Sequence, residues 1–223
     1  MDEQNQTGGS APAAPCTGLR IGDAAPGFSA RSTAGQISLA DFRGRWLILF
    51  SHPADFTPVC TTEFVALAKA SDEFAQRGCA LMALSVDSLY SHFAWLRLIR
   101  DRFGVEVRFP IIEDPTLVIG RAYGMVAADA DDSATVRTTF FIDPQGIVRA
   151  MNCYPANVGR STAEMLRTLG ALQAVDTGPV LAPANWRPGD ELLQMSQTTL
   201  DDVFTADGAS DWFLRPANPA TDQ

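Results

Sequence analysis

The chain has 223 residues, enough for one well-cored domain and an extension, and its 46% hydrophobic and 19% charged residues exclude a collagen-like or wholly disordered chain. A formal net charge of −9 excludes a general phosphate-backbone binder, because such binding draws on clustered Lys and Arg, so nucleic acid is not an expected partner. No apolar run approaches the roughly 20 residues that span a bilayer, and no basic and then apolar leader opens the sequence, which predicts a soluble, cytoplasmic protein with no membrane partner.

Residues 1–18 are rich in Gly, Ala, Pro, Ser and Gln, lack hydrophobic periodicity and read as a flexible tail. From Leu19 onward, short apolar runs alternate with helical patterns. The runs Trp46 to Phe50, Ala80 to Val86 and Thr139 to Ile142 are too unbroken for half-exposed strands and predict buried central ones. Phe64, Leu67, Ala68, Ala70 and Phe74 form a helical stripe closed by Gly78, and Phe93, Leu96, Ile99 and Phe103 form another closed by Gly104. Asp114-Pro115 predicts a short helix with an Asp N-cap and Pro at its first position, ending at Gly124. Asp143-Pro144-Gln145-Gly146 predicts a hairpin turn, and Ser161 with Glu164 a capping box that opens a helix through Leu166, Leu169 and Leu172. The order is α/β and matches a thioredoxin-like core over residues 19–175. Beyond it, Pro179, Pro183, Pro188, Pro216 and Pro219 preclude long helices, yet Trp186, Leu192, Leu193, Phe204, Trp212, Phe213 and Leu214 are too apolar for a solvated tail. Residues 176–223 therefore read as an arm that packs on a second copy of the chain, a dimerisation arm.

The four cysteines, Cys16, Cys60, Cys79 and Cys153, are irregularly separated. With no Cys-x-x-Cys pair and no His at zinc-ligand spacing, neither a disulfide scaffold nor a metal site is expected. The segment Phe50-Ser51-His52-Pro53-Ala54-Asp55-Phe56-Thr57-Pro58-Val59-Cys60-Thr61-Thr62-Glu63 follows a buried strand and precedes an amphipathic helix, the end of an open sheet where ligand sites gather. Thr57 as N-cap and Pro58 as first residue make Cys60 the third residue of that helix, its sulfur among unpaired N–H groups. An unperturbed thiol, with pKa about 8.5, is only a few per cent thiolate at neutral pH, so a nucleophilic role needs a site that favours the anion. The helix N-terminus supplies one such bias. Glu63, one turn on, opposes it, so a neutralising Arg is predicted nearby, and Arg137 and Arg160 are the two candidates. His52, extended by the following Pro53, either tunes the site or is a packed histidine; Pro53 and Phe56 either exclude water or punctuate the loop.

Pro53-x-x-x-Thr57-x-x-Cys60 resembles the active-site signature of the peroxiredoxins, and the longer run Phe50 to Glu63 is similar to their one-cysteine branch and to archaeal thioredoxin peroxidases. Further matching stretches are Leu84 to Ser88 with Trp95, Phe109 to Asp114, Val136 to Ile142, Tyr154-Pro155 with Gly159-Arg160, and Trp186 to Asp190. The resemblance implies a thioredoxin-like fold with a C-terminal extension exchanged within a homodimer, and in some relatives a ring of dimers. It implies that Cys60 is the peroxidatic residue, that Thr57 and Arg137 bond the sulfur and the peroxide oxygens, and that Pro53 shields the sulfenic acid. His52, Glu63 and Arg160 match supporting positions. The reaction implied reduces a hydroperoxide by thiolate attack, with no cofactor, and an external thiol such as thioredoxin or glutathione recycles the sulfenic acid.

Two-cysteine relatives carry a resolving cysteine in the C-terminal region, and here none follows Cys153. Cys153, two residues before Pro155, could pair with Cys60 or be inert packing; Cys79 reads as structural and Cys16 lies in the tail. A rival enzyme class, the thioredoxin-like disulfide oxidoreductases, would need a paired Cys-x-x-Cys at the turn that holds Cys60 alone. A rival non-enzyme class is a redox sensor whose assembly changes when Cys60 is oxidised.

Overall fold

The computed structural model describes residues 18–126, 135–196, 199–205 and 213–217. The predicted tail, with Cys16, and Trp212 of the arm lie outside the described residues. A seven-stranded mixed sheet runs through the molecule in the order β2 (Gly35–Ser38), β1 (Ser29–Ser32), β5 (Ile111–Glu113), β4 (Cys79–Ser85), β3 (Trp46–Ser51), β6 (Arg137–Ile142) and β7 (Val148–Tyr154). β3, β4 and β5 are parallel, β6 runs antiparallel to β3, and β7 runs antiparallel to β6.

β3 is apolar throughout because it is buried on both faces, and its alternation splits the core in two. Trp46, Ile48 and Phe50 pack under Phe64 and Leu67 of α1 (Pro58–Lys69), Trp95 and Ile99 of α3 (Leu89–Phe103), and Met165 and Leu169 of α5 (Thr162–Val175). Leu47 and Leu49 point the other way, against Met82, Leu84, Ile112, Phe140 and Ile142, with Leu39 and Phe42 of a 3₁₀ turn and Ile119 and Tyr123 closing that side. This is a thioredoxin-like sheet with helices on both faces.

Three helices depart from the sequence reading. The stripe from Phe64 to Phe74 is broken at Ala70 into α1 and α2 (Ser71–Gln76), so both Phe64 and Phe74 reach the core from differently directed axes. In α3, capped by Ser88, the buried side carries His92, Trp95 and Ile99, while Phe93 and Phe103 are about half exposed. The helix expected to start at Pro115 starts at Val118 and runs to Ala122 (α4), with Leu117 ahead of it in a left-handed conformation. The Asp114 carboxylate still caps it, accepting from Gly120 N at 2.7 Å, but from outside the helix. The hairpin turn and the α5 cap form as the residue types dictate. Gly146 takes φ +78° and donates to Asp143 O at 2.8 Å, and Ser161 Oγ accepts from Glu164 N at 3.2 Å.

Beyond α5, β8 (Val180–Leu181) pairs with β9 (Leu193–Gln194), and α6 (Leu200–Thr205) follows. The extension is pinned by Trp186, only 6% exposed, whose indole donates to Asp190 O. Leu200, Phe204, Phe213 and Leu214 stay exposed. Among the described residues no helix is long and apolar enough to cross a membrane.

Candidate active site

β3 ends at Ser51, and the chain passes through residues 52–57 before α1 begins. Thr57 has the extended backbone of an N-cap and Pro58 fills the first helical position, so Cys60 is the third helical residue. The Thr57 side chain does not cap: its hydroxyl donates to Ala54 O at 2.9 Å, closing the loop instead of meeting the sulfur. Thr61 Oγ donates back to Thr57 O at 2.8 Å and accepts from the Trp95 indole at 3.2 Å, which ties the first turn of α1 to α3.

Cys60 is fully buried. Arg137, at the start of β6 and only 2% exposed, directs Nη1 to Cys60 Sγ at 3.2 Å and to Glu63 Oε2 at 2.7 Å. Its Nε and Nη2 both donate to Ala156 O, so the guanidinium cannot swing away without breaking three partners. Arg160 completes the cluster from the loop before α5: its backbone N and Nε donate to Glu63 Oε1 at 2.7 and 2.8 Å, and its Nη2 to Glu63 Oε2 at 2.8 Å. Burial alone would push the Glu63 carboxyl up, but hydrogen bonds and charge from Arg160, then Arg137, hold it below the usual carboxylate range. One carboxylate between two guanidiniums leaves one positive charge unmatched beside Sγ. Gly159 eases the approach: a Cβ there would stand 3.3 Å from Val59 Cγ1, a tight contact at the turn that brings Arg160 onto α1.

His52 is fully buried, and its Nε2 pairs with Asp55 Oδ1 at 3.0 Å, while Asp55 Oδ2 takes His92 Nδ1 at 2.7 Å. Burial pushes His52 below its ordinary value of 6.5 despite Asp55, so the ring is neutral near pH 7. Burial would raise Asp55, yet the hydrogen bonds from His52 and His92 outweigh it and hold that carboxyl well below the usual range. An ionised Asp55 and a neutral His52 place the proton on Nε2 and leave Nδ1 bare, and Nδ1 has no partner among the described residues. Pro53 is half-buried in the same loop, and the next residues turn through Phe56, whose positive φ of 59° leaves its ring half exposed beside Trp95.

The structure thus brings Cys60, Glu63, Arg137 and Arg160 into one bonded cluster, with His52 in an adjoining one and Thr57 and Pro53 in the connecting loop. Asp55 and His92 were not singled out from sequence, although they are integral to the second cluster. The available signal was that the chain contains only two histidines, which made a buried pair sharing one carboxylate worth seeking. Cys153 is exposed and lies across from Thr138 in the β6–β7 register, on the face opposite Arg137 and hence opposite Cys60, so the alternative of a local pair with Cys60 has no geometric support. Cys79 is buried at the start of β4, and burial pushes its thiol up to about 12.

Comparison with known proteins follows the same lines. Residues 21–151 match the AhpC/TSA family, and residues 171–206 the C-terminal domain of 1-Cys peroxiredoxin. A peroxiredoxin of Thermoplasma volcanium is 43% identical over 198 residues, covering 87% of this chain and 97% of the relative. Peroxiredoxin 2 of Caldanaerobacter subterraneus is 49% identical over 201 residues, covering 87% and 91%. Among solved structures, a yeast mitochondrial 1-Cys peroxiredoxin, studied for thiol resolution via glutathione and thioredoxin systems, has a TM-score of 0.79 at 40% identity, covering 89% of this chain and 98% of its own. Peroxiredoxin 6 of Arenicola marina has a TM-score of 0.76 at 34% identity, covering 84% and 89%. With this core, this extension and relatives of such identity over nearly their whole length, the chain belongs to the peroxiredoxins, the thiol-dependent peroxidases of the AhpC/TSA family.

Proposed function

We propose that Cys60 is the peroxidatic residue and that this chain works by a one-cysteine mechanism on hydrogen peroxide and organic hydroperoxides. The observation that carries the reading is the 3.2 Å contact from Arg137 Nη1 to Cys60 Sγ, made by a guanidinium that also holds Glu63. The Cys60 thiolate attacks the terminal peroxide oxygen, an S–O bond forms as the O–O bond breaks, and the leaving oxygen takes a proton to become water or an alcohol. Arg137 and Thr57 bind the peroxide and stabilise charge passing from sulfur to oxygen, Thr57 after its hydroxyl turns from Ala54 O. Pro53 shields the sulfenic acid, Glu63 and Arg160 hold Arg137 in place, and His52 supports the loop. An external thiol, from a thioredoxin or glutathione system, displaces the sulfenic hydroxyl as water, and a second thiol releases Cys60. The chemistry needs no metal or organic cofactor.

The division into a tail, a peroxidase domain over residues 19–175 and a dimerisation arm belongs to the same proposal, supported by the family match of the extension and by the exposed Leu200, Phe204 and Phe213. The assembly is a homodimer, or a ring of dimers, in the cytoplasm. The test is hydrogen peroxide consumption with dithiothreitol, with sulfur oxidation followed by intact mass, in the parent protein, Cys60→Ser and Arg137→Ala. Multiple turnovers that vanish in Cys60→Ser and fall by about 10²-fold or more in Arg137→Ala are expected. Equal slow rates in all three would overturn the reading, and a single turnover would point to a redox sensor.

A further inference from the structure

A second cleft lies away from the cysteine, at the seam between the core and the extension. It encloses about 440 Å³ and is lined by Glu73 and Arg77 of the α2 region, Ser161, Glu164 and Arg167 of α5, and Arg187 of the extension. In a chain of net charge −9, three guanidiniums around one cleft stand out. Arg167 is committed: its Nε and Nη2 meet both Glu164 oxygens at 2.7 and 2.9 Å, and its Nη1 donates to Trp186 O at 3.2 Å. Glu164 is likewise satisfied, with the Thr168 hydroxyl on Oε1 as well.

The other two arginines differ. Among the described residues neither the Arg77 nor the Arg187 guanidinium has an acceptor, and Glu73 pairs with neither. Arg77 is held, not free: Gln173 Nε2 donates to its carbonyl at 2.7 Å, and its half-buried guanidinium lies over Gly170, where a Cβ would be 3.1 Å from Nη1 and 3.3 Å from Pro188 Cγ. Arg187 is set by its own backbone, whose N–H donates to Asp190 Oδ2 at 2.8 Å in the turn that buries Trp186. With the Arg167 and Glu164 pair cancelling, two unpaired cations face one carboxylate, and the cleft is left positive. The half-buried Arg77 guanidinium without an acceptor lacks the charge-assisted hydrogen bonds that make Arg favourable at such a position, whereas Arg187 is exposed and reaches the cleft from the solvent side.

We propose that this cleft is a binding site for a small oxyanion, a phosphate or a dicarboxylate, held between Arg77 and Arg187. Such a ligand completes both guanidiniums at once and ties the extension to the core, because Arg77 belongs to one and Arg187 to the other. None of the residues that touch Cys60 takes part, so the site is independent of peroxide reduction.

The test is isothermal titration of the full-length protein with inorganic phosphate and, separately, with succinate, at low and at moderate ionic strength. Arg77→Gln and Arg187→Gln are the variants, and Arg108→Gln, which removes an exposed cation elsewhere, is the control. Saturable binding of at least one anion, weakened about tenfold or more in both cleft variants, unchanged in Arg108→Gln and reduced by salt, is expected. Which anion binds separates phosphate from carboxylate chemistry. No saturable binding of either anion overturns the proposal, as does a loss in only one cleft variant or an equal loss in the control. Peroxidase turnover and thermal unfolding of the variants without added anion check that the fold survives, so loss of binding cannot be mistaken for unfolding.

Discussion

Replacing Glu63 by Gln keeps the size of the side chain and removes its charge from between two guanidiniums. The carboxylate is 4% exposed, and four N–H donors from Arg137 and Arg160 meet it at 2.7 to 2.8 Å. An amide oxygen can accept from at most part of that set, and its NH₂ group points a donor at a donor, so two buried cations lose their counter-charge. Removing one partner of a buried pair costs about 3–5 kcal/mol, and the two cations here place the cost in that range. For a domain of this size about 1 kcal/mol moves the melting temperature by roughly 2–4 °C, so the variant should melt about 6–20 °C lower. The difference also has a pH signature. Because the folded-state carboxyl is held below its ordinary value of 4.5, its contribution is fully present above that value and is lost as pH falls through the depressed folded one. Denaturant titrations of parent and Glu63→Gln, at one fixed protein concentration, should therefore show a gap that is constant from neutral pH to about pH 5 and narrows below it. A gap under about 1 kcal/mol at neutral pH, or one that does not change on acidification, would refute the account of Glu63 as a desolvated bridge between two arginines.

Asp55→Asn should destabilise the protein by about 1.5–3 kcal/mol, since an amide cannot accept from both His52 and His92, and part of the cost should be recovered at acid pH, where the parent Asp55 itself becomes protonated; thermal melts across pH would check it. In native alkylation with iodoacetamide followed by peptide mapping, Cys153 should label readily and Cys79 only after unfolding, because one thiol is exposed and the other is buried with its ionisation pushed to about 12. The same maps after peroxide treatment should contain no disulfide between Cys60 and Cys153, and finding one would overturn their placement on opposite faces of the sheet. Leu49→Ala, at a fully buried β3 position, should cost about 2–5 kcal/mol in chemical denaturation without altering peroxide turnover per folded molecule.

Local signals carried far where the physics is local. Thr57, Pro58 and Cys60 declare the start of α1 because cap and proline preferences act over three residues, and the apolar run of β3 declares a strand buried on both faces. The Arg137–Glu63–Arg160 cluster was reachable by charge reasoning alone, since a carboxylate one turn from a nucleophilic sulfur needs a cation, although sequence left two candidates and the structure employs both. What stayed hidden is what depends on tertiary approach. Asp55 joins His52, three residues away, to His92, 37 residues on, and no spacing rule links a loop carboxylate to the first turn of α3. The same helix shows Phe93 and Phe103 outward and His92 inward, because a partner for the imidazole outweighs the hydropathy of a stripe. The Thr57 hydroxyl donates to Ala54 O, which follows from the loop path that residue types do not encode.

The cluster around Cys60 also orders events during synthesis. Its members sit at positions 60, 63, 137 and 160, and the carbonyl that steadies Arg137 at 156. A chain emerging from its N-terminus presents the cysteine early, but the two guanidiniums of the cluster arrive roughly 80 and 100 residues later, when β6 and the loop before α5 close on the sheet. The charged surroundings of Cys60 are therefore assembled only by completion of the fold, and an unfinished or misfolded molecule presents the cysteine without them.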